Sequence, residues 1–185
     1  EDEVLWESYS KDWSNFEIGD KEFRESDFDD SNWAQGNSGF GYADGDDATM
    51  IPTGSGSVYL RKTFTIPDVT AISSLILDMD YDDAFVAYIN GIEVARANIN
   101  GVPPPFDSGT LQDHEAQLYS GGTPERFLIT DFSSILNTGE NILTIQAHNV
   151  SSNSSDLTII PFFNSSFYHS KFFRGYSTRH LKFHN

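Results

Sequence analysis

The chain has no cysteine, which removes disulfides, thiolate metal ligands and cysteine nucleophiles together. That absence does not assign a compartment, because secreted bacterial β domains also dispense with cysteine. Basic residues are scarce: 11 Lys and Arg stand against 28 Asp and Glu, for a net charge of −17. This balance argues against nucleic acid, whose phosphates must be met by Lys and Arg, and against anionic polysaccharide unless a local basic patch or a bound cation intervenes. No apolar run reaches the roughly 18 residues of a membrane-spanning helix, so membrane insertion is not expected. Helical periodicity is nearly missing. The chain opens at Glu1 without a signal-like apolar stretch, the expectation for a processed or excised piece of a larger protein.

What is present is aromatic. Apolar residues make up 38% of the 185 and Phe, Tyr and Trp 14%, and each aromatic ring buries about 150–250 Å². One ordered domain with a real core is expected. Strand alternation recurs along the chain. In residues 58–66, Val58, Leu60, Phe64 and Ile66 share a face opposite Tyr59, Arg61, Thr63 and Thr65. In 75–81, Leu75, Leu77, Met79 and Tyr81 oppose Ile76, Asp78 and Asp80. Segments 85–90 and 92–96 flank Asn90-Gly91, the pair that supplies both positive-φ positions of a type I′ hairpin turn. Residues 142–148 turn Leu143, Ile145 and Ala147 inward, and 157–163 form a last strand in which Pro161 favours an edge or a bulge. One short helix is expected over Phe132–Leu136, capped by Asp131 and ended by Gly139.

Three connections, 26–57, 97–126 and 149–156, are too long for hairpin turns and rich in Gly, Ser, Asn, Asp and Pro. Long loops on a rigid sandwich are where binding chemistry sits. The tail, 164–185, carries Lys171, Arg174, Arg179 and Lys182 with His169, His180 and His184. It reads as a linker to a following domain or as an extra strand, beyond a folded unit spanning 1–163.

The motifs DFDDSNW (27–33), GFGYADGDDAT (39–49), YDDAFVAYINGIEVARANI (81–99), DHEA (113–116), GENILTIQAHN (139–149) and SSDLTIIPFF (154–163) follow one another in order. In this arrangement the chain resembles a galactose-binding-like jelly-roll module of large secreted bacterial proteins, over about residues 5–163. There it accompanies lamin-tail-like, spore-coat-like or metallophosphoesterase domains. Trp6, Trp13 and Phe16 fit its first strands. The resemblance implies an all-β jelly-roll sandwich and, for function, carbohydrate or cell-surface binding with a structural calcium ion. The basic tail departs from that pattern.

The densest carboxylate cluster is Asp44, Asp46 and Asp47. Calcium takes six to eight oxygens, and closely spaced Asp around a Gly can wrap it. An EF-hand is excluded, since position 55 is Ser where Glu is required and no helices flank the loop. A looser calcium loop and a solvated acidic turn both stay open. Asp27, Asp29 and Asp30 read as a turn that folds Trp33 inward. Asp78, Asp80, Asp82 and Asp83 would repel one another unless hydrogen-bonded, solvated or cation-bound, a weaker second calcium locus.

Sugar binding needs aromatic platforms and planar polar partners. Trp33, Tyr42, Phe106 and Tyr119 lie in the long connections, with Arg96, Asn98, Asp113 and His114 as polar partners; the alternative is that these side chains anchor their own loops. The His114-Glu115 pair lacks a nucleophile or a metal-ligand spacing, and the 5 histidines form no H-x-H or H-E-x-x-H pattern. IQAH (145–148) matches the Gln-x-His of some jelly-roll lyases, but their accompanying Arg-x-Glu-x-Arg strand is missing. The expectation is a non-catalytic, calcium-stabilised carbohydrate-binding module of a larger secreted or cell-surface protein, or else a structural or adhesive spacer docked to neighbouring domains.

Overall fold

The apolar faces of 58–66 and 75–81 meet across the interior of a two-sheet sandwich. Val58, Leu60, Phe64 and Ile66 are buried against Leu75, Leu77, Met79 and Tyr81, each such side chain stabilising the fold by about 1.5–3 kcal/mol. The computed structural model describes residues 4–9, 22–151 and 153–168. In chain order the strands are β1 (Val4–Tyr9), β2 (Ala34–Gly36), β3 (Phe40–Tyr42), β4 (Thr49–Met50), β5 (Ser57–Ile66), β6 (Ile72–Asp82), β7 (Ala84–Ile89), β8 (Ile92–Ala97), β9 (Glu125–Leu128), β10 (Gly139–His148) and β11 (Leu157–Phe167). The one α-helix among the described residues, α1, is Phe132–Ile135.

One sheet runs β2-β1-β5-β10-β7-β8 and the other β4-β3-β11-β6-β9. From β5 onward the chain alternates between them, apart from the β7–β8 hairpin. The fold is therefore an all-β sandwich, as the alternation predicts. Leu143, Ile145 and Ala147 of β10 and Leu157, Ile159 and Phe163 of β11 complete the core, where the Phe64 and Phe163 rings stand 5.0 Å apart.

Asn90 and Gly91 hold φ of 51° and 80°, the left-handed pair that the type I′ turn demands. Asn90 does more than turn the chain. Its amide donates to Ile135 O and Asn141 Oδ1 and accepts from Ile142 N–H, tying the hairpin to α1 and β10.

Several boundaries differ from expectation. β11 continues to Phe167 rather than stopping near Phe163, because Ser165 takes the inward position between Phe163 and Phe167. The boundary drawn at 163 thus falls inside a strand. Pro161 sits in an interior strand and not in its bulge, which lies at Ser166/Phe167. β3 ends opposite Ile159, so Pro161 has only β6 beside it and its missing N–H interrupts no second ladder. Asp131 precedes α1 without a side-chain cap bond, and Gly139, at φ 101°, opens β10 rather than ending the helix. The connection 26–57 holds β2, β3 and β4, strands of two or three residues that are too short to show a period. Trp13, Phe16 and the basic and histidine residues of the tail lie outside the described residues.

A second apolar cluster covers the outer face of the six-stranded sheet. Phe23, Tyr59, Val86, Tyr88 and Ile99 are buried there, with Phe28, Trp33 and Phe106 packed against them. Arg61, 2% exposed, fastens the 22–33 segment over this face. It pairs with Asp30 at 2.8 Å and donates to the carbonyls of Phe23 and Glu25.

Candidate metal centre and the loops around it

After β3 the chain curls through a six-residue loop and returns parallel to itself as β4, with Phe40 opposite Thr49 and Gly41 opposite Met50. Left-handed residues at Ala43 (φ 80°) and Gly45 (φ 85°) make the curl. Thr49 N–H to Gly39 O (2.8 Å) and Ile51 N–H to Gly41 O (2.9 Å) close it. This geometry lays the Asp47 carboxylate on Gly41. A Cβ at that position would lie 2.4 Å from Asp47 Oδ2 and 2.1 Å from Leu157 O, so only glycine fits. Below the loop, Thr158 of β11 donates its hydroxyl to Asp44 and stands 3.5 Å from Asp47 Oδ1.

The three carboxylates offer oxygens within 4.8 Å of one another. Asp44 Oδ1, both oxygens of Asp46 and Asp47 Oδ2 are buried without a hydrogen-bond partner. Burial, then the charges of Asp44 and Asp46, push the Asp47 carboxyl up to about 8. Burial and Asp44 raise Asp46 as well. Orphaned buried carboxylate oxygens carry a desolvation penalty that a bound cation removes. An all-oxygen donor set with this spacing suits a hard ion with metal–oxygen distances of about 2.3–2.6 Å, such as calcium. The residues present fit a hard divalent cation, and the structure brings the three candidate ligands together.

The six residues expected to hold a sugar are distributed differently. Arg96 grips Glu93 with two bonds (2.6 and 2.7 Å) and donates to Ile99 O and Gly101 O, latching the base of the 98–124 loop. Asn98, left-handed at φ 59°, donates to Asp83 O and Gln112 O. Phe106 packs half-buried on the second apolar cluster. His114 stacks flat on Tyr81 at 4.1 Å and donates its backbone N–H to Asp83. Asp113 is exposed, and Tyr119 is 52% exposed. Of the other expected platforms, Tyr42 is instead buried in the core, its hydroxyl accepting from Asn149, and Trp33 packs edge-on against Phe28.

Four aspartates around the end of β6 resolve into distinct roles. Asp78 pairs with Arg126 at 2.7 Å. Asp80 accepts from the N–H groups of Gln117 and Leu118. Asp83 accepts from His114 and Val150. These bonds anchor the long loops, a role hidden in sequence because each donor is more than 30 residues away. Asp82 differs: it faces Glu115 and Asp156, and burial with the neighbouring acids lifts its carboxyl to about 8. The sequence joined Asp82 to its β6 neighbours, and nothing in it linked Glu115 to Asp156.

No family model matches the sequence, and no curated protein matches it. Solved structures do resemble it. A Bifidobacterium dentium β-glucuronidase complexed with coumarin-3-O-glucuronide shares 18% identity at a TM-score of 0.47, over 79% of this chain and 19% of that one. A Streptomyces avermitilis α-L-rhamnosidase complexed with L-rhamnose shares 17% at 0.45, over 71% and 10%. A calcium-binding mutant of Bacteroides uniformis β-glucuronidase 2 shares 16% at 0.44, over 86% and 17%. The chain thus spans between a tenth and a fifth of these enzymes, and their activities are statements about them.

Proposed function

We propose that the chain is a non-catalytic, galactose-binding-like carbohydrate-binding module of a larger secreted or cell-surface protein, stabilised by calcium at Asp44, Asp46 and Asp47. The observation that carries this reading is the set of buried, unpartnered carboxylate oxygens seated on Gly41. The ion supplies charge compensation there, and the protein supplies the oxygens, the glycine floor and the Thr158 hydroxyl that fixes Asp44. For the glycan, Tyr119 offers an exposed ring next to Leu118, whose N–H is held by Asp80. Stacking on such a ring needs no deep pocket. Affinity electrophoresis against a polysaccharide panel, with calcium and with chelator, tests the reading. It predicts retention on at least one glycan that chelator and Tyr119→Ala each weaken. No retention on any glycan overturns the carbohydrate part, and a melting curve indifferent to chelator overturns the calcium part.

A specific observation favours a second reading, a structural or adhesive spacer. Arg96, Asn98, Phe106 and His114 are engaged with the loop's own backbone or the sandwich body, and the outer face of the six-stranded sheet is covered. On that reading calcium raises the melting temperature, no glycan is retained, and the partners are neighbouring domains of the parent protein.

A further inference from the structure

We propose a second divalent-cation site, formed by Asp82, Glu115 and Asp156, that staples the 98–124 loop and the connection before β11 to the end of β6. The three residues come from segments separated by more than 30 positions each. Their carboxylate oxygens lie within 4.8 Å of one another. Three oxygens that close lie within about 2.8 Å of a common centre, near enough to the calcium–oxygen range of about 2.3–2.6 Å for one ion to draw in all three.

A second observation points to the ligand independently of the cluster. Asp82 is only 4% exposed, and among the described residues no backbone N–H, hydroxyl or cationic side chain donates to its carboxylate. Its charged neighbours are Asp83, Asp156 and Glu115, all acids. Asp83, the acid next to it, is itself held by N–H groups, from His114 at 2.7 Å and Val150 at 2.6 Å, and brings Asp82 no positive charge. Asp78, Asp80 and Asp83 show that this region provides donors for its carboxylates; Asp82 alone of the four is aimed at other acids. An ion between the three carboxylates removes the repulsion and gives their oxygens a positive partner. Glu115 is exposed and Asp156 half-exposed, which leaves the site open to an ion arriving from solvent and to waters that complete its shell. Oxygen-only donors select a hard ion of calcium's class over zinc.

The site is separate from the one at Asp44, Asp46 and Asp47. Thr158 of β11 pairs with Gly41 of β3 on one side and with Asp82 of β6 on the other. The backbones beneath the two groups therefore stand two strand spacings apart, about 10 Å.

Isothermal titration of the chelator-stripped chain with calcium chloride decides the matter. Two ions per chain are expected, with Asp156→Asn or Glu115→Gln weakening one by about tenfold or more while sparing the other. Asp47→Asn should do the reverse. Glu115→Gln, an isosteric change at an exposed side chain, keeps the test open if Asp156→Asn misfolds. Two outcomes overturn the proposal: both variants leaving every site at its wild-type affinity, or a single ion that Asp47→Asn alone abolishes. A single ion abolished by Asp156→Asn but kept by Asp47→Asn supports this site and removes the other. No binding at all removes both.

Discussion

The outer faces of the two sheets treat buried charge in opposite ways. On the six-stranded sheet Arg61 is almost wholly buried, yet it meets Asp30, two backbone carbonyls and the ring of Phe28 at 5.0 Å. Its charge is satisfied within the chain, and the cap of Phe23, Tyr59 and Tyr88 closes over it. At the loop end of the five-stranded sheet, Asp44, Asp46 and Asp47 leave buried oxygens without a hydrogen-bond partner, and Asp82 faces other acids. The first face is a finished interior. On the proposed reading the second is completed by a hard cation, which its all-oxygen chemistry suits.

The largest effect should come from breaking the finished face. Arg61→Ala leaves Asp30 and two carbonyls without their donor and is expected to destabilise by about 3–5 kcal/mol, measured by urea unfolding. A loss under about 1 kcal/mol would mean that the 22–33 cap does not depend on it.

Next comes the incomplete face. At calcium one hundred times its dissociation constant, the ion should stabilise the wild type by about 2.7 kcal/mol, or roughly 5–11 °C in melting temperature. Asp47→Asn should lose that increment, read by differential scanning calorimetry with and without chelator.

The pH dependence sharpens the contrast. Asp47 and Asp82 are raised to about 8 in the fold from an ordinary value of 3.8. The folded chain therefore holds protons that the unfolded chain releases. Their contribution to stability is full below pH 4 and is lost as pH rises toward 8. With chelator present, the melting temperature should climb as pH falls from 8 to 5. Calcium, which replaces those protons, should flatten the slope. An unchanged slope would show that the carboxylates are compensated some other way.

The smallest effect concerns the exposed loop. Tyr119→Ala should change stability by less than about 0.5 kcal/mol while weakening any glycan retention. A large loss of stability would make the ring an anchor rather than a platform.

How far the sequence reaches follows the same division. Long alternating strands announced themselves, because Val58 to Ile66 and Leu75 to Tyr81 each carry the period of two that a strand with one face in the core requires. Asn90-Gly91 fixed its hairpin for a reason local to two residues. Asp44, Asp46 and Asp47 were legible as a group since one loop carries all three. What stayed hidden depends on distance along the chain. The pairing of Arg61 with Asp30, the role of Asp83 and the meeting of Asp82 with Glu115 and Asp156 are made by strand order, which no local pattern encodes. Short strands such as β3 and β4 hid for a different reason: two or three residues show no alternation. Arg96 and Asn98 looked like ligand-binding groups because loop latches and sugar ligands use the same side chains.

The central claim is that Asp44, Asp46 and Asp47 form a cation site. A crystal structure of the protein grown with calcium tests it most directly. The account predicts an ion between the three carboxylates, with oxygens at about 2.3–2.6 Å and Gly41 beneath Asp47. Three carboxylates turned apart into solvent, with no ion among them, would contradict it.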